Sequence, residues 1–262
     1  MANIGTAKTI NILDINIHTT NLHHSVQTIL QWIQKKEQHY VCVRDVHGIV
    51  LSQHDPLLKR IHQNSGLTVP DGMPLVWIGR LLGFKSMNRV YGPDLMAYLC
   101  ELSVEKGLTH CLYGGKTEQD VQTLKCLLEQ RFKGIQITGA FCPPFSRFTS
   151  FDDMKLLSHL RSNKTNILWI GVGTPKQEYI MEHLMHHTHT NVIIGVGAAF
   201  DILLKIQPDA PDWIKKSGLQ WFFRSLQDPG RLGKRYIKII PSFIILMLIK
   251  WLKTKKNNQN EG

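Results

Sequence analysis

Asn166-Ile-Leu-Trp-Ile-Gly-Val-Gly-Thr-Pro-Lys-Gln-Glu178 is the stretch on which the fold turns. Asn166–Val172 is an apolar run of strand length, as expected of a strand buried on both faces. Gly171 and Gly173 then allow backbone to come close to a ligand. Thr174 is placed as the N-cap of a helix, Pro175 as its first residue, and Gln177 as the partner of Thr174 in a Thr-x-x-Gln capping box. The helix is expected over Pro175–His187, and a second apolar strand, Asn191–Val196, follows it. A helix N-terminus with unpaired amides beside Lys176 suits a diphosphate. Capping chemistry alone accounts for the same pattern.

The same grammar extends outward. Thr9–Ile17 reads as a short strand pair, and Ser25–Lys36 as a helix with Val26, Ile29, Leu30 and Ile33 on one face. Tyr40–Val43 is a strand, followed by a helix over Gly48–Ser65. Leu67–Val69 is a strand running into Pro70-Asp71-Gly72, and Asp94–Lys106 is a helix. His110–Tyr113 is a strand ending in Gly114-Gly115, after which Thr117 caps a helix carrying Val121, Leu124, Leu127 and Leu128. Gln136–Ala140 is a strand, Phe141–Phe148 a loop, and Asp152–Arg161 a helix. The alternation defines an α/β fold with a mostly parallel sheet and helices on both faces. Ligands of such sheets bind at the carboxyl ends of the strands. After Phe200 the alternation stops and the remainder reads as helical, giving a core over residues 1–204 and an appendage over 205–262.

The chain has 262 residues, 43% hydrophobic and 19% charged, which excludes a disordered or collagen-like molecule. Lys and Arg number 31 against 20 Asp and Glu, a net charge of +11. The appendage holds 12 Lys+Arg and 4 Asp+Glu, so a nearly neutral body carries a strongly basic tail. Met1–Ile10 lacks the apolar segment of a secretory signal. Cys42, Cys100, Cys111, Cys126 and Cys142 are scattered; four lie in apolar patterns, so buried free thiols in a reducing compartment are expected. The longest apolar run, Ile239–Ile249, is broken by Pro241 and Ser242 and is too short to span a bilayer. Arg235 and Lys238 precede it, and Lys250, Lys253, Lys255 and Lys256 follow. That pattern suits a segment lying in the interface of an anionic membrane, and equally a core helix with a solvated tail.

Other motifs add candidates. In Gly195-Val-Gly-Ala-Ala-Phe-Asp201, Asp201 either binds a ligand hydroxyl or caps the next helix. Pro70-Asp71-Gly72 sets a carboxylate at a strand end, as a plain turn or as a general base whose proton affinity a semi-enclosed cleft would raise. Arg89 binds phosphate or pairs with Asp94. Gly114-Gly115-Lys116-Thr117 lacks the spacing of an ATPase phosphate loop, and the Gly171 turn lacks the third glycine of a dinucleotide fingerprint. His183 and His187 share a helix face with His186 and His189 nearby, but no acidic or Cys ligand is suitably spaced for a metal. There is no Gly-x-Ser-x-Gly elbow and no Asp-x-Asp metal site. In the tail, arginines beside Trp213, Trp221 and Tyr236 suit nucleic acid or lipid phosphates.

Taken in order, Pro70–Pro74, Arg89-Val-Tyr-Gly-Pro-Asp-Leu95, Tyr113-Gly-Gly115, Gly171–Glu178, Gly195–Asp201 and Ala210-Pro-x-Trp213…Gly218-Leu-x-Trp221…Arg224 resemble the WecG/TagA/CpsF glycosyltransferases over about residues 10 to 245. The resemblance implies a Rossmann-like core and an inverting, metal-independent transfer from a UDP-sugar to a polyprenyl-diphosphate-linked saccharide, feeding a bacterial surface polysaccharide. It implies Asp71 as base, Gln177 as a UDP ligand, and Arg224 and Arg231 at the acceptor diphosphate. It also implies a membrane-associating appendage, and a cytoplasmic protein held peripherally at the inner face of the membrane, with no cofactor. The expected substrate-binding set is Arg44, His47, Arg89, Gly114, Gly171, Gly173, Thr174, Pro175, Lys176, Gln177, Asp201, Arg224 and Arg231. Where many members carry Thr-x-Asn, this chain reads Arg44-Asp45-Val46-His47. Lys205, Asp209 and Gln220 stand for the usual Gly, Arg and Glu, which points to a different donor or acceptor from the best-known members. A homo-oligomeric state stays open. The contrasting expectation is a nucleotide- or nucleic-acid-binding module with a basic arm.

Overall fold

The computed structural model describes residues 8–144 and 153–260, with side chains through Lys253. An antiparallel hairpin of β1 (Thr9–Ile12) and β2 (Ile15–His18) precedes six strands: β3 (His39–Arg44), β4 (Leu67–Pro70), β5 (Thr109–Gly114), β6 (Gln136–Phe141), β7 (Ile167–Gly171) and β8 (Val192–Gly195). These six form one parallel sheet in the order β4-β3-β8-β7-β5-β6. The helices in chain order are α1 (Leu22–Gln34), α2 (Val46–Leu51), α3 (Pro56–Gln63), α4 (Met73–Leu81), α5 (Gly92–Lys106), α6 (Glu118–Arg131), α7 (Met154–Ser162), α8 (Lys176–His187), α9 (Ala199–Leu203), α10 (Asp212–Lys216), α11 (Gln220–Gln227) and α12 (Lys234–Asn260). A single π-helical turn, Pro229–Gly233, joins the last two. The sheet is therefore the Rossmann-like α/β arrangement that the alternation predicts.

Strand parity divides the core. Val41, Val43, Leu112, Trp169, Val192 and Ile194 face α1, α5, α6 and α9, whereas Tyr40, Cys42, Cys111, Tyr113, Leu168, Ile170 and Ile193 face α3, α7 and α8. Both faces are covered, which is why the strands read as unbroken apolar runs. A third cluster sits outside the sheet, where the β1–β2 hairpin meets Ile49, Val50, Leu75 and Met87 and receives Phe243 of α12.

Several elements differ from expectation for identifiable reasons. The single helix expected over 48–65 is two, because Asp55 caps α3 through the Leu58 amide and Pro56 holds its first position. A residue before proline is steered away from helical backbone, so the chain must break there. Three cysteines rather than four are buried, since Cys126 lies on the outer side of α6 and Cys142 is half-buried; all five thiols are free. α12 continues through Pro241, and its apolar run is divided between a packed side and an exposed side. Ile239, Phe243, Leu246 and Met247 pack on the hairpin cluster, while Ile237, Ile244, Ile245 and Leu248 are exposed. Among the described residues no helix is long and apolar enough to cross a membrane. Phe145–Phe148 of the expected loop, Asp152 of the expected helix, and the side chains of Lys255 and Lys256 lie outside the described residues.

Candidate active site

The carboxyl ends of β3, β5, β7 and β8 open into a cavity of about 610 Å³. This is where the chain leaves the middle of the sheet in opposite directions, the usual crevice of such folds. Backbone at Gly115, Gly171, Gly173 and Gly197 forms part of its wall. Arg44, Lys116, Lys176, Arg224, Arg231 and Arg235 line it against Asp45, Asp71 and Asp201, so the wall is predominantly cationic.

The Gly171–Glu178 turn is built differently from the capping box expected of it. α8 begins at Lys176 with Pro175 in the cap position and no side-chain cap bond. Two amides expected to be open are taken within the turn: Gln177 donates to the Gly173 carbonyl and Glu178 to that of Pro175. The Thr174 hydroxyl donates to Glu178 Oε1 at 3.2 Å, joined there by Gln177 Nε2 at 2.8 Å and Arg44 Nη2 at 2.7 Å. Gln177 Oε1 in turn accepts from the Gly197 amide at 3.0 Å. One buried carboxylate thus ties the ends of β3 and β7 together, and Gln177 extends the tie to β8. The driving force is the burial itself: Arg44 and Glu178 are 1% and 0% exposed, and charges so placed must find each other. Arg44 therefore lines the cavity from within a pair rather than as an open cation.

Gly114 and Pro175 are not on the cavity wall. At Gly114 a Cβ would meet the Phe200 ring at 2.8 Å and the Gly171 carbonyl at 2.9 Å, so the position serves close packing of β5 on β7 and α9. Gly114→Ala is expected to destabilise the fold by about 1–3 kcal/mol, read as a lower urea midpoint.

Asp71 stands at the end of β4, its amide donating to the Arg44 carbonyl at 2.7 Å. Arg89 pairs with Asp71 rather than with Asp94 or an open phosphate site: Oδ1 accepts from Nη2 at 2.8 Å and Nε at 3.0 Å. Among the described residues Oδ2 carries no hydrogen bond, leaving it as the oxygen for an incoming hydroxyl. Arg89 also donates to Gln220 of α11, and Gln220 Nε2 donates to the Tyr91 hydroxyl at 3.1 Å. That hydroxyl donates to Asp209 Oδ1 at 2.7 Å. An acidic residue at 220 would face the Asp209 carboxylate across this hydroxyl; with Asp209 present, the neutral Gln220 avoids the repulsion.

Beyond Asp71 lies a second, apolar groove of about 340 Å³ between α4 and α12, with Met73, Pro74, Trp77, Tyr236, Ile240 and Phe243 on its walls. Asp45, His47, Asp71 and Arg224 border both spaces. Arg224 donates to Gln207 at 3.0 Å and Arg231 pairs with Asp228 at 2.8 Å, so both tail arginines reach the cavity from α11 and the π-helical turn. Burial pushes the His47 imidazole below its usual pKa, with Asp45 opposing and Arg235 and Arg44 reinforcing. Asp201 lies within α9 rather than capping it. His183 and His187 stack on each other at 4.0 Å, and no group of three or more metal-binding side chains comes together among the described residues.

The expected substrate-binding set omits Asp45, Lys116 and Arg235, all of which line the cavity, although Arg235 beside Tyr236 is read as suited to phosphates. Asp45 caps α2 through the Gly48 amide at 3.1 Å. Burial favours its neutral form, but His47, Arg44, that amide and Arg235 together hold the carboxyl below its usual pKa. The Arg44-Asp45-Val46-His47 departure marked the spot without singling out Asp45.

A sequence model of the Glycosyl transferase WecG/TagA/CpsF family matches residues 10–257. The chain belongs to this family and is a glycosyltransferase. Its relatives include proteins named N-acetylglucosaminyldiphosphoundecaprenol N-acetyl-beta-D-mannosaminyltransferase. That of Bacillus subtilis is 23% identical over 91% of this chain and 92% of its own length. That of Staphylococcus aureus is 24% identical over 96% of each, and that of Bacillus spizizenii 24% identical over 75% and 74%.

Proposed function

We propose that this chain moves a hexosyl or N-acetylhexosaminyl group from a UDP-sugar to a saccharide carried on polyprenyl diphosphate, with inversion, in bacterial surface-polymer synthesis. The observation that carries the reading is the meeting of a cationic cavity and an apolar groove at Asp71, which with Asp45 borders both spaces and, among the described residues, keeps one oxygen open. The relatives' names, which specify an acceptor on diphosphoundecaprenol, support the same acceptor class.

The UDP lies across the strand ends with its diphosphate at the Gly173–Gln177 turn. Asp71 Oδ2 takes the proton of the acceptor hydroxyl, whose oxygen bonds to the anomeric carbon as the bond from that carbon to UDP breaks. The electron pair leaves on UDP, where the α8 N-terminus, Lys176 and the tail arginines stabilise it. Arg224 and Arg231 meet the acceptor diphosphate, and Arg89 holds Asp71 in place. The basic appendage, residues 205–262, keeps the protein at the inner face of an anionic membrane. Lys205, Asp209 and Gln220 set its donor or its acceptor apart from that of the best-known members.

The test is UDP release across a panel of UDP-sugars with a short-chain lipid-diphosphate acceptor. Release that requires both substrates, and that persists in EDTA, is expected. No release with any UDP-sugar would overturn the reading, and loss in EDTA restored by Mg²⁺ would overturn its metal-free part.

A further inference from the structure

The apolar groove has two lips, and only one belongs to the appendage. On α12, Ile240 and Ile244 line the groove one helical turn apart. Ile237, Ile245, Leu248 and Leu252 carry that surface outward and are each more than half exposed. The opposite lip is α4, part of the core. Trp77 lines the groove, and Leu81, one turn further on the same face, is 87% exposed; Leu82 beside it is 60% exposed. α4 already buries Leu75, Val76 and Gly79, so Leu81 and Leu82 are not needed for its packing, while Trp77 rests one side of its ring on Gly218 and leaves the rest exposed. Large apolar side chains gathered at the rim of a groove mark a contact surface.

The charge pattern selects the contact. Met73–Asn88 and Lys234–Lys253 contain no Asp or Glu. Lys250 is engaged by Asp14, and Arg80 by the Met87 carbonyl and Asn88. Lys85, Lys234, Lys238 and Lys253 are exposed around the lips. A second copy docked on this face would set like charge against like, whereas an anionic headgroup layer complements it.

We propose that α4 is a second membrane-docking edge, with Trp77, Leu81 and Leu82 entering the bilayer opposite the α12 stripe. Both lips then rest in the lipid, and the groove opens directly into it, with Asp71 and Arg89 at its inner end. The inference rests on the membrane association proposed above and adds to it a contact made by the catalytic core.

The experiment is flotation of the full chain with vesicles of phosphatidylglycerol and phosphatidylcholine, alongside phosphatidylcholine alone. Leu81→Glu/Leu82→Glu is expected to lower partition onto the anionic vesicles by about tenfold or more, at unchanged Tm. Ile244→Glu/Leu248→Glu should lower it likewise. Leu81→Ser/Leu82→Ser, which adds no charge, should lose in the same direction, as insertion rather than repulsion requires. If Ile244→Glu/Leu248→Glu loses binding while both α4 variants partition like wild type, the α4 edge is refuted and the appendage contact survives. If the wild type binds neither vesicle, the membrane reading fails and this inference with it. A dimer that the α4 variants convert to monomer, with partition unchanged, would make the face a self-interface and overturn the proposal.

Discussion

Asp71→Asn is expected to reduce sugar transfer by about 10²–10⁴-fold, the range for loss of a positioned general base, with UDP affinity nearly unchanged. The asparagine keeps the shape of the side chain, and its carbonyl oxygen still accepts from Arg89, which of the two carboxylate oxygens meets Oδ1 alone. What disappears is an oxygen able to take a proton at the Oδ2 position. On the proposed reading the effect should fall on kcat rather than KM, because that reading sets the nucleotide against the Gly173–Gln177 turn and the acceptor against the tail arginines. UDP-release kinetics with both substrates varied separates the two. An unchanged kcat would remove Asp71 from the role of base and move attention to Asp45, the other carboxylate bordering both spaces.

The largest stability effect is expected at the Arg44–Glu178 pair. Both side chains are almost wholly out of solvent, and Arg44 Nε and Nη1 and Glu178 Oε2 are buried without hydrogen-bond partners among the described residues. Thr174 and Gln177 also donate to Glu178, and Arg44 to the Val43 carbonyl, but each member of the pair is the other's counter-charge, so removing one strands a charge. Arg44→Met should cost about 3–5 kcal/mol, a large share of the roughly 5–15 kcal/mol that holds a domain folded. Glu178→Leu should cost a similar amount. The combined Arg44→Met/Glu178→Leu variant should recover much of the loss, since neither charge then remains. Urea denaturation of the four proteins forms the cycle. Single variants within about 1 kcal/mol of wild type would show that water relieves the stranded charge and that the pair does not brace the turn. Gly48 belongs to the same arrangement: a Cβ there would lie 2.2 Å from Arg44 Nη1, so α2 can pass over the guanidinium only with glycine at that position.

The sheet was legible because its strands are buried on both faces, and such strands print as apolar runs between glycine turns. α4 was not, because Trp77, Leu81 and Leu82 place apolar residues on its outer side and blur the periodicity that marks a helix facing a core. At the site, Asp71 and the Gly171–Gln177 turn were readable from local pattern, and Arg224 and Arg231 from the family resemblance; all but Pro175 line the cavity. Partnerships were not. Arg89 was set beside Asp94, five residues away, yet its partner is Asp71, reached across α4. Thr174 was read as a cap because Thr-Pro-x-Gln fits one, but Glu178 draws its hydroxyl away, and Glu178 is placed by Arg44 on another strand. Side-chain pairing over such separations follows from which strands are neighbours, and one chain's sequence does not state that order.

Asp45, His47, Asp71 and Arg224 form one partition with an aqueous room on one side and an oily one on the other. On the proposed reading, the two substrates have separate doors. The nucleotide arrives from water and leaves by the same way, while the lipid-borne partner slides in from the side and never has to vacate its seat for UDP to escape. Neither substrate need wait for the other, and a spent nucleotide can be exchanged for a fresh one while the lipid stays moored.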